Sequence, residues 1–134
     1  MASGATKAFV FTPADSRAGF AYYAWTMAQL DVAAAPKRLI KGVGRHPQRV
    51  ALLARLGVHQ NHAGKGLGAG LLRRVLLRVT AISDEIGCRG LFIPAESDRA
   101  RGFYEHLIPE FEQSPTDDLH LVLLLKDIKR TLRA

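Results

Sequence analysis

The stretch ALLARLGVHQNHAGKGLGAGLL, residues Ala51 to Leu72, runs from an apolar strand through a polar spacer into a glycine-rich loop and the start of a helix. Gly64, Gly66 and Gly68 leave no Cβ between the backbone and a ligand. A helix opening near Leu67 aims its unpaired N–H groups and the positive end of its dipole into that loop. Strand, glycine loop and helix in this order make a place to hold phosphate.

On the downstream side, Leu67, Leu71, Leu72, Val75, Leu76, Val79, Ile82 and Ile86 recur at helical spacing, which predicts a helix over Leu67 to Ile86, stopped by Gly87. Gly70 inside it costs about 1 kcal/mol relative to alanine, so close packing is expected there. Arg89 to Pro94 reads as the next strand. Strand, helix, strand then form a right-handed parallel crossover. Ser97 is placed to cap a helix from Asp98 to His106. Glu110 to Ser114 is a short strand, Pro115 to Asp118 a turn, Leu119 to Lys126 a last apolar strand, and Lys129 to Ala134 a polar tail. On the upstream side, Lys7 to Thr12 is a strand ended by Pro13, and Gly19 to Leu30 pairs with it as a hairpin. Asp31 to Arg49 is a basic loop with one helical turn at Lys37 to Lys41, and Val50 to Val58 is a buried strand. The expected fold is α/β: a mixed sheet, antiparallel at the start, with a central parallel β-α-β crossover.

The bulk composition fits one domain over residues 1–134. The hydrophobic fraction is 48%, the mean hydropathy +0.01 and the formal charge +7, which points to an anionic partner. From Val32 to Ser83 there is no Asp or Glu, while Lys37, Arg38, Lys41, Arg45, Arg49, Arg55, Lys65, Arg73, Arg74 and Arg78 all fall there. The single cysteine, Cys88, excludes an internal disulfide and suits a reducing cytoplasm. It reads as a buried structural thiol. Met1 to Lys7 has no apolar segment of a secretion signal, and no apolar run approaches a membrane span, so neither secretion nor membrane insertion is expected.

Two familiar phosphate loops do not fit. A kinase-type loop needs a hydroxyl residue after Gly-Lys, and Gly64-Lys65 is followed by Gly66, with His59 where the first glycine belongs. A dinucleotide loop begins directly after the first strand. Gly64, Gly66 and Ala69 match its letters, but the strand ends about five residues too early and two antiparallel strands precede it.

The loop Ala63-Gly64-Lys65-Gly66-Leu67-Gly68 resembles motif A of the Gcn5-related N-acetyltransferases, the GNAT family, with Ala63 where Arg or Gln is usual. Ala100-Arg101-Gly102-Phe103-Tyr104-Glu105-His106 is similar to the family's Ala-x-x-Phe-Tyr motif on the following helix. Leu53-Ala54-Arg55-Leu56, Phe103-Tyr104-Glu105-His106 and the closing Leu121-Val122-Leu123-Leu124-Leu125 narrow the likeness to the toxins of toxin–antitoxin modules that acetylate aminoacyl-tRNA. Those enzymes begin with a strand and two helices ahead of the strand that is here Lys7 to Thr12. The resemblance implies an amino-terminally truncated domain, with an edge that a second copy, as a homodimer, could cover.

The resemblance implies acetyl-CoA as co-substrate and no metal. The amides of Ala63, Gly64, Lys65, Gly66, Leu67 and Gly68 would grip its pyrophosphate, with Phe103 beside them. The backbone of Leu56, Gly57 and Val58 would pair with its pantetheine arm, and the Val58 N–H would polarise the thioester carbonyl. Tyr104 would protonate the departing thiolate. His59 and His62 are the candidate bases. An α-amino acceptor, near ~7.7–8.0, is partly neutral at pH 7 and asks less of a base than an ε-amino group near ~10.4. Lys37, Arg38, Lys41, Arg45 and Arg49 would receive the phosphates of tRNA, or else only balance those of coenzyme A. The expected function is acetyl transfer to the α-amino group of aminoacyl-tRNA, with an antitoxin protein as a further partner. Transfer to a protein or small amine, and a silent coenzyme A-binding module, stand as the alternatives.

Overall fold

A computed structural model describes residues 7–11, 21–42, 46–58 and 67–133. Six strands form one sheet: β1 (Lys7–Phe11), β2 (Ala21–Leu30), β3 (Gln48–Val58), β4 (Gly90–Pro94), β5 (Glu112–Ser114) and β6 (Asp117–Leu124), in the order β1-β2-β3-β4-β6-β5. Every neighbouring pair is antiparallel except β3 and β4. Their parallel register covers only Ala51–Leu91 and Leu52–Phe92. The expected mixed sheet with one parallel crossover is therefore present.

The crossover is α2 (Leu67–Ile86), with the predicted bounds. Its apolar residues fall on one stripe, so Leu71, Leu72, Val75, Leu76 and Val79 are buried against Ala51, Leu53 and Leu91 of the sheet. Gly87 ends it at φ +66°, a conformation that a Cβ makes costly. The packing expected around Gly70 is not there. That glycine is exposed, and an added Cβ would meet nothing within 4 Å. The next helix, α3 (Asp98–Leu107), starts as predicted: the Ser97 hydroxyl accepts from the Ala100 N–H at 3.1 Å.

The carboxyl end differs from the sequence expectation. The last strand stops at Leu124, and Leu125–Arg133 is a helix, α4, rather than strand and tail. Leu125, Ile128 and Leu132 share a helical stripe, and the fully buried Ile128 anchors it beside α2. α2, α3 and α4 thus cover one face of the sheet.

The other face carries a smaller cluster of Leu30, Ala35, Leu39, Val50, Phe92, Val122 and Leu124. It is roofed by the β2–β3 connection, which holds a 3₁₀ turn (Val32–Ala34) and α1 (Lys37–Ile40). Three contacts pin that connection. The Ser114 hydroxyl donates to the Ala34 carbonyl at 2.6 Å, Arg89 donates to the Leu39 carbonyl at 3.2 Å, and Arg38 meets Glu112 and Asp127.

Candidate active site

The sheet opens where β3 outruns its pairing with β4. Beyond Leu52 the two strands diverge, and β3 keeps only its ladder with β2. The β2–β3 register jumps by one between Ala24–Arg55 and Trp25–Leu53, so Ala54 is an extra residue, a β-bulge. A bulge bends its strand and increases the local twist. Here it sits at the point of divergence. In the stretch Arg55 to Val58, alternate N–H and C=O groups point away from β2 with no strand to receive them, and such an edge accepts an extended ligand carrying amides.

Between the strands is a cavity of about 50 Å³. Leu53, Ala54, Arg55 and Leu56 form one wall and Ile93, Pro94, Ala95 and Glu96 the other, with Ala100 and Tyr104 closing it. Leu56 packs with the helix-covered core, while Arg55, paired with Ala24, lies on the opposite face and is exposed. Gly57 fits beneath Tyr22, whose ring would lie 2.6 Å from an added Cβ.

Tyr104 faces this cavity from α3 and is only 7% exposed. Its ring meets Phe103 and Phe111 edge-on, with centroids 5.2 and 6.1 Å away. Burial, and secondarily the charge of Glu96, push its phenol up to about 12. It therefore keeps its proton throughout the physiological range. Phe103, its neighbour on α3, reaches the first turn of α2: an added Cβ on Gly68 would lie 2.9 Å from the ring. The opening of α2, the end of β3 and Tyr104 of α3 therefore converge.

Of the residues singled out in the sequence, Leu56 and Tyr104 line this cavity, Gly68 and Phe103 meet each other, Gly57 and Val58 continue β3 beyond it, and Leu67 opens α2. Ala63, Gly64, Lys65 and Gly66, together with His59 and His62, lie outside the described residues, as does Arg45. Lys37, Arg38, Lys41 and Arg49 stand elsewhere. Arg49 is at the start of β3, seven residues and about 20 Å of strand from Leu56. The Arg38 guanidinium is held 2.7 Å from Glu112 and 3.1 Å from the buried Asp127. It ties the α1 roof to β5 and α4, a role its place in a basic run did not suggest. Lys37 and Lys41 are exposed on the α1 segment. The sequence reading missed Glu96 and His120. Period-two alternation along β6 would have placed His120 on the same face as Val122.

Among the described residues no group of three or more His, Cys, Asp or Glu could hold a metal ion. None of the helices there is long and apolar enough to cross a membrane. Cys88 is buried, its thiol on the Gly90 carbonyl, and burial pushes it up, away from the thiolate.

Comparison with known proteins agrees with this geometry. The sequence model of the acetyltransferase (GNAT) family matches residues 15–107. A tRNA-acetylating toxin of Mycobacterium tuberculosis is 40% identical over 126 residues, which cover 94% of this chain and 73% of the toxin. The fold is similar to that of AtaT complexed with acetyl-methionyl-tRNAfMet, with a TM-score of 0.82 at 24% identity over 93% of this chain and 74% of that one. It is also similar to AtaTR bound with AcCoA, with a TM-score of 0.77 at 25% identity over 93% and 73%.

Proposed function

The chain belongs to the GNAT family of acetyltransferases, and from that premise we propose that its acceptor is the α-amino group of an aminoacyl-tRNA, which it blocks as a translation-arresting toxin. It is an N-acetyltransferase whose acetyl donor is acetyl-CoA. The observation that carries the finer reading is the divergence of β3 from β4 with Tyr104 at its mouth, in a chain 40% identical to a tRNA-acetylating toxin.

The residues divide the work as follows. The amides of Ala63 to Gly68, at the positive end of α2, hold the pyrophosphate of the donor, with Phe103 packed against that turn. The free edge from Leu56 to Val58 bonds the pantetheine amides. The Val58 N–H stabilises the charge that builds on the acetyl oxygen as the amine attacks. Tyr104 supplies a proton as the carbon–sulfur bond breaks. An alkyl thiol is a stronger acid than this phenol, so the transfer is driven by collapse of the tetrahedral adduct rather than by the acidity of Tyr104. The acceptor needs little activation, since an α-amino group near ~7.7–8.0 is partly neutral at pH 7.

Lys37, Lys41 and Arg49 contribute to a basic flank for the tRNA phosphates, away from the chemistry. An antitoxin, such as the AtaR whose C-terminus is bound to the similar AtaT, and a second copy of this chain are the protein partners this reading implies.

Radiolabelled acetyl-CoA offered to charged tRNA, uncharged tRNA, a lysine peptide and a polyamine tests the reading. Label on the charged tRNA alone, falling steeply as salt rises, is expected. Label on the peptide or polyamine with none on charged tRNA would overturn the acceptor. Binding of acetyl-CoA with no transfer to any of the four would make the chain a silent module.

A further inference from the structure

Tyr104 serves the leaving group from the helix-covered face. The attacking amine also loses a proton, since a neutral amine becomes positively charged as it adds to a carbonyl. Among the described residues one imidazole stands on the opposite face at the level of the cavity. His120 of β6 is in register with Pro94, the cavity-wall residue at the end of β4. It is thus one strand spacing, about 5 Å, from that wall. Alternation along β6 places it on the face of Val122, and its ring stands edge-on to Phe92 of the same cluster, with centroids 5.2 Å apart and planes at 90°. Its side chain is about one-third exposed, so solvent and substrate can reach it.

The imidazole is also oriented. The Asp117 Oδ2 lies 3.4 Å from Nε2, and the other oxygen of Asp117 accepts from the Leu119 N–H at 2.9 Å. A carboxylate on one ring nitrogen favours the N–H there and leaves the lone pair on the other, Nδ1. The remaining described histidines are elsewhere: His46 is at the foot of β3 and His106 in the last turn of α3, both exposed.

We infer that His120, oriented by Asp117, takes the proton that the acceptor amine gives up when it attacks the acetyl carbonyl. This rests on the acetyl-transfer reading and adds a second group to it. The amine nitrogen bonds to the acetyl carbon, and its proton goes to Nδ1 of His120. The carbon–sulfur bond breaks, and sulfur takes the Tyr104 proton. The products are the amide and free coenzyme A. Imidazolium and phenolate remain, and solvent returns the proton from one to the other. No oxidant, metal or further reactant is consumed.

The charged surroundings of His120 are few. Asp117 and Asp118 stand on its own strand, Glu112 of β5 is already engaged by Arg38 of α1, and β4 presents Phe92 and Pro94, which do not titrate, before Glu96 at its end. Histidine is the side chain that changes charge between pH 5 and 8.

The test is the pH dependence of kcat/KM for acetyl transfer to charged tRNA, in wild type, His120→Asn, His120→Ala and Asp117→Asn. On the acid limb the logarithm of kcat/KM should fall by up to two units per pH unit in wild type, one for the amine and one for the imidazole, and by about one in the His120 variants. Near pH 8 the His120 variants should be ~10²–10⁴-fold slower, with the gap closing as pH falls, and free imidazole should partly rescue His120→Ala. Asp117→Asn should lose less and keep the two-unit slope. A loss in the His120 variants that stays constant across pH, or profiles identical to wild type, would overturn the assignment. A wild-type protein that acetylates no charged tRNA would instead overturn the acceptor, and the same variants would then be read on whichever amine the label marked.

Discussion

From Arg49 to Leu52, β3 is bonded on both edges, to β2 and to β4, and Val50 and Ala51 are fully buried. From Ala54 to Val58 the same strand is bonded to β2 alone. The foot is built like any sheet interior. The head has bent away from β4, and its backbone on that side has no strand partner. The difference teaches where stability and chemistry reside. Substitutions at the foot should unfold the molecule without touching the reaction, and substitutions at the head should do the reverse.

The largest contrast is expected at the head. Tyr104→Phe keeps the ring between Phe103 and Phe111 and removes only the proton donor, so turnover should fall ~10²–10⁴-fold while acetyl-CoA affinity by calorimetry stays near wild type. Full turnover in that variant would remove Tyr104 from the reaction. At the foot, Leu91→Ala should cost ~2–5 kcal/mol in denaturant unfolding, because Leu91 is fully buried opposite Ala51, while activity per folded molecule is unchanged. A drop in activity per folded molecule would show that the two halves are not separable.

Alkali should also separate them. The Tyr104 phenol is raised in the fold, so the folded state holds its proton longer than the unfolded chain. Stability is whole below pH ~10 and declines by about 2–3 kcal/mol as pH rises toward 12. Burial of Cys88 and Tyr23 pushes in the same direction. Tyr104→Phe should flatten part of that decline in urea unfolding series; an undiminished decline would place the alkaline weakness elsewhere.

The finest comparison uses one substitution twice. Gly90→Ala drives a methyl into the Leu123 backbone carbonyl, which cannot yield without moving β6, and should cost ~1–3 kcal/mol. Gly57→Ala meets only the outer ring of Tyr22, which is exposed and can swing aside, and should cost below ~1 kcal/mol. Equal melting temperatures for the two would show that the Leu123 carbonyl yields as readily as the Tyr22 ring.

Much of this was written locally in the chain. The stripe from Leu67 to Ile86 with Gly87 behind it marks α2, and Ser97 marks the start of α3, because periodicity and capping act over a few residues. What the sequence hid depends on distant partners. The apolar run through Leu124 flows into Leu125, which masks the point where β6 ends and α4 turns Ile128 into the core. Arg38 looks like one more cation of a basic run until the fold brings Glu112 and Asp127 beside it. Gly70 suggested a close neighbour and has none. Tyr104 was legible through its motif, whereas His120 is an ordinary strand residue until Pro94 and Asp117 are placed around it.

The extra residue at Ala54 has an arithmetic consequence. A strand is counted in twos, odd positions to one side and even to the other, and Ala54 resets the count. Leu53 and Leu56, odd and even, both point into the core, and Arg55 points out. Losing the Ala54 codon would iron the bulge out and return the strand to plain alternation, with Leu53 and Leu56 still facing the core and Arg55 still facing out, so that only the bend would go. The one extra residue therefore sets the bend of the strand, and losing it should cost the divergence from β4 rather than the core.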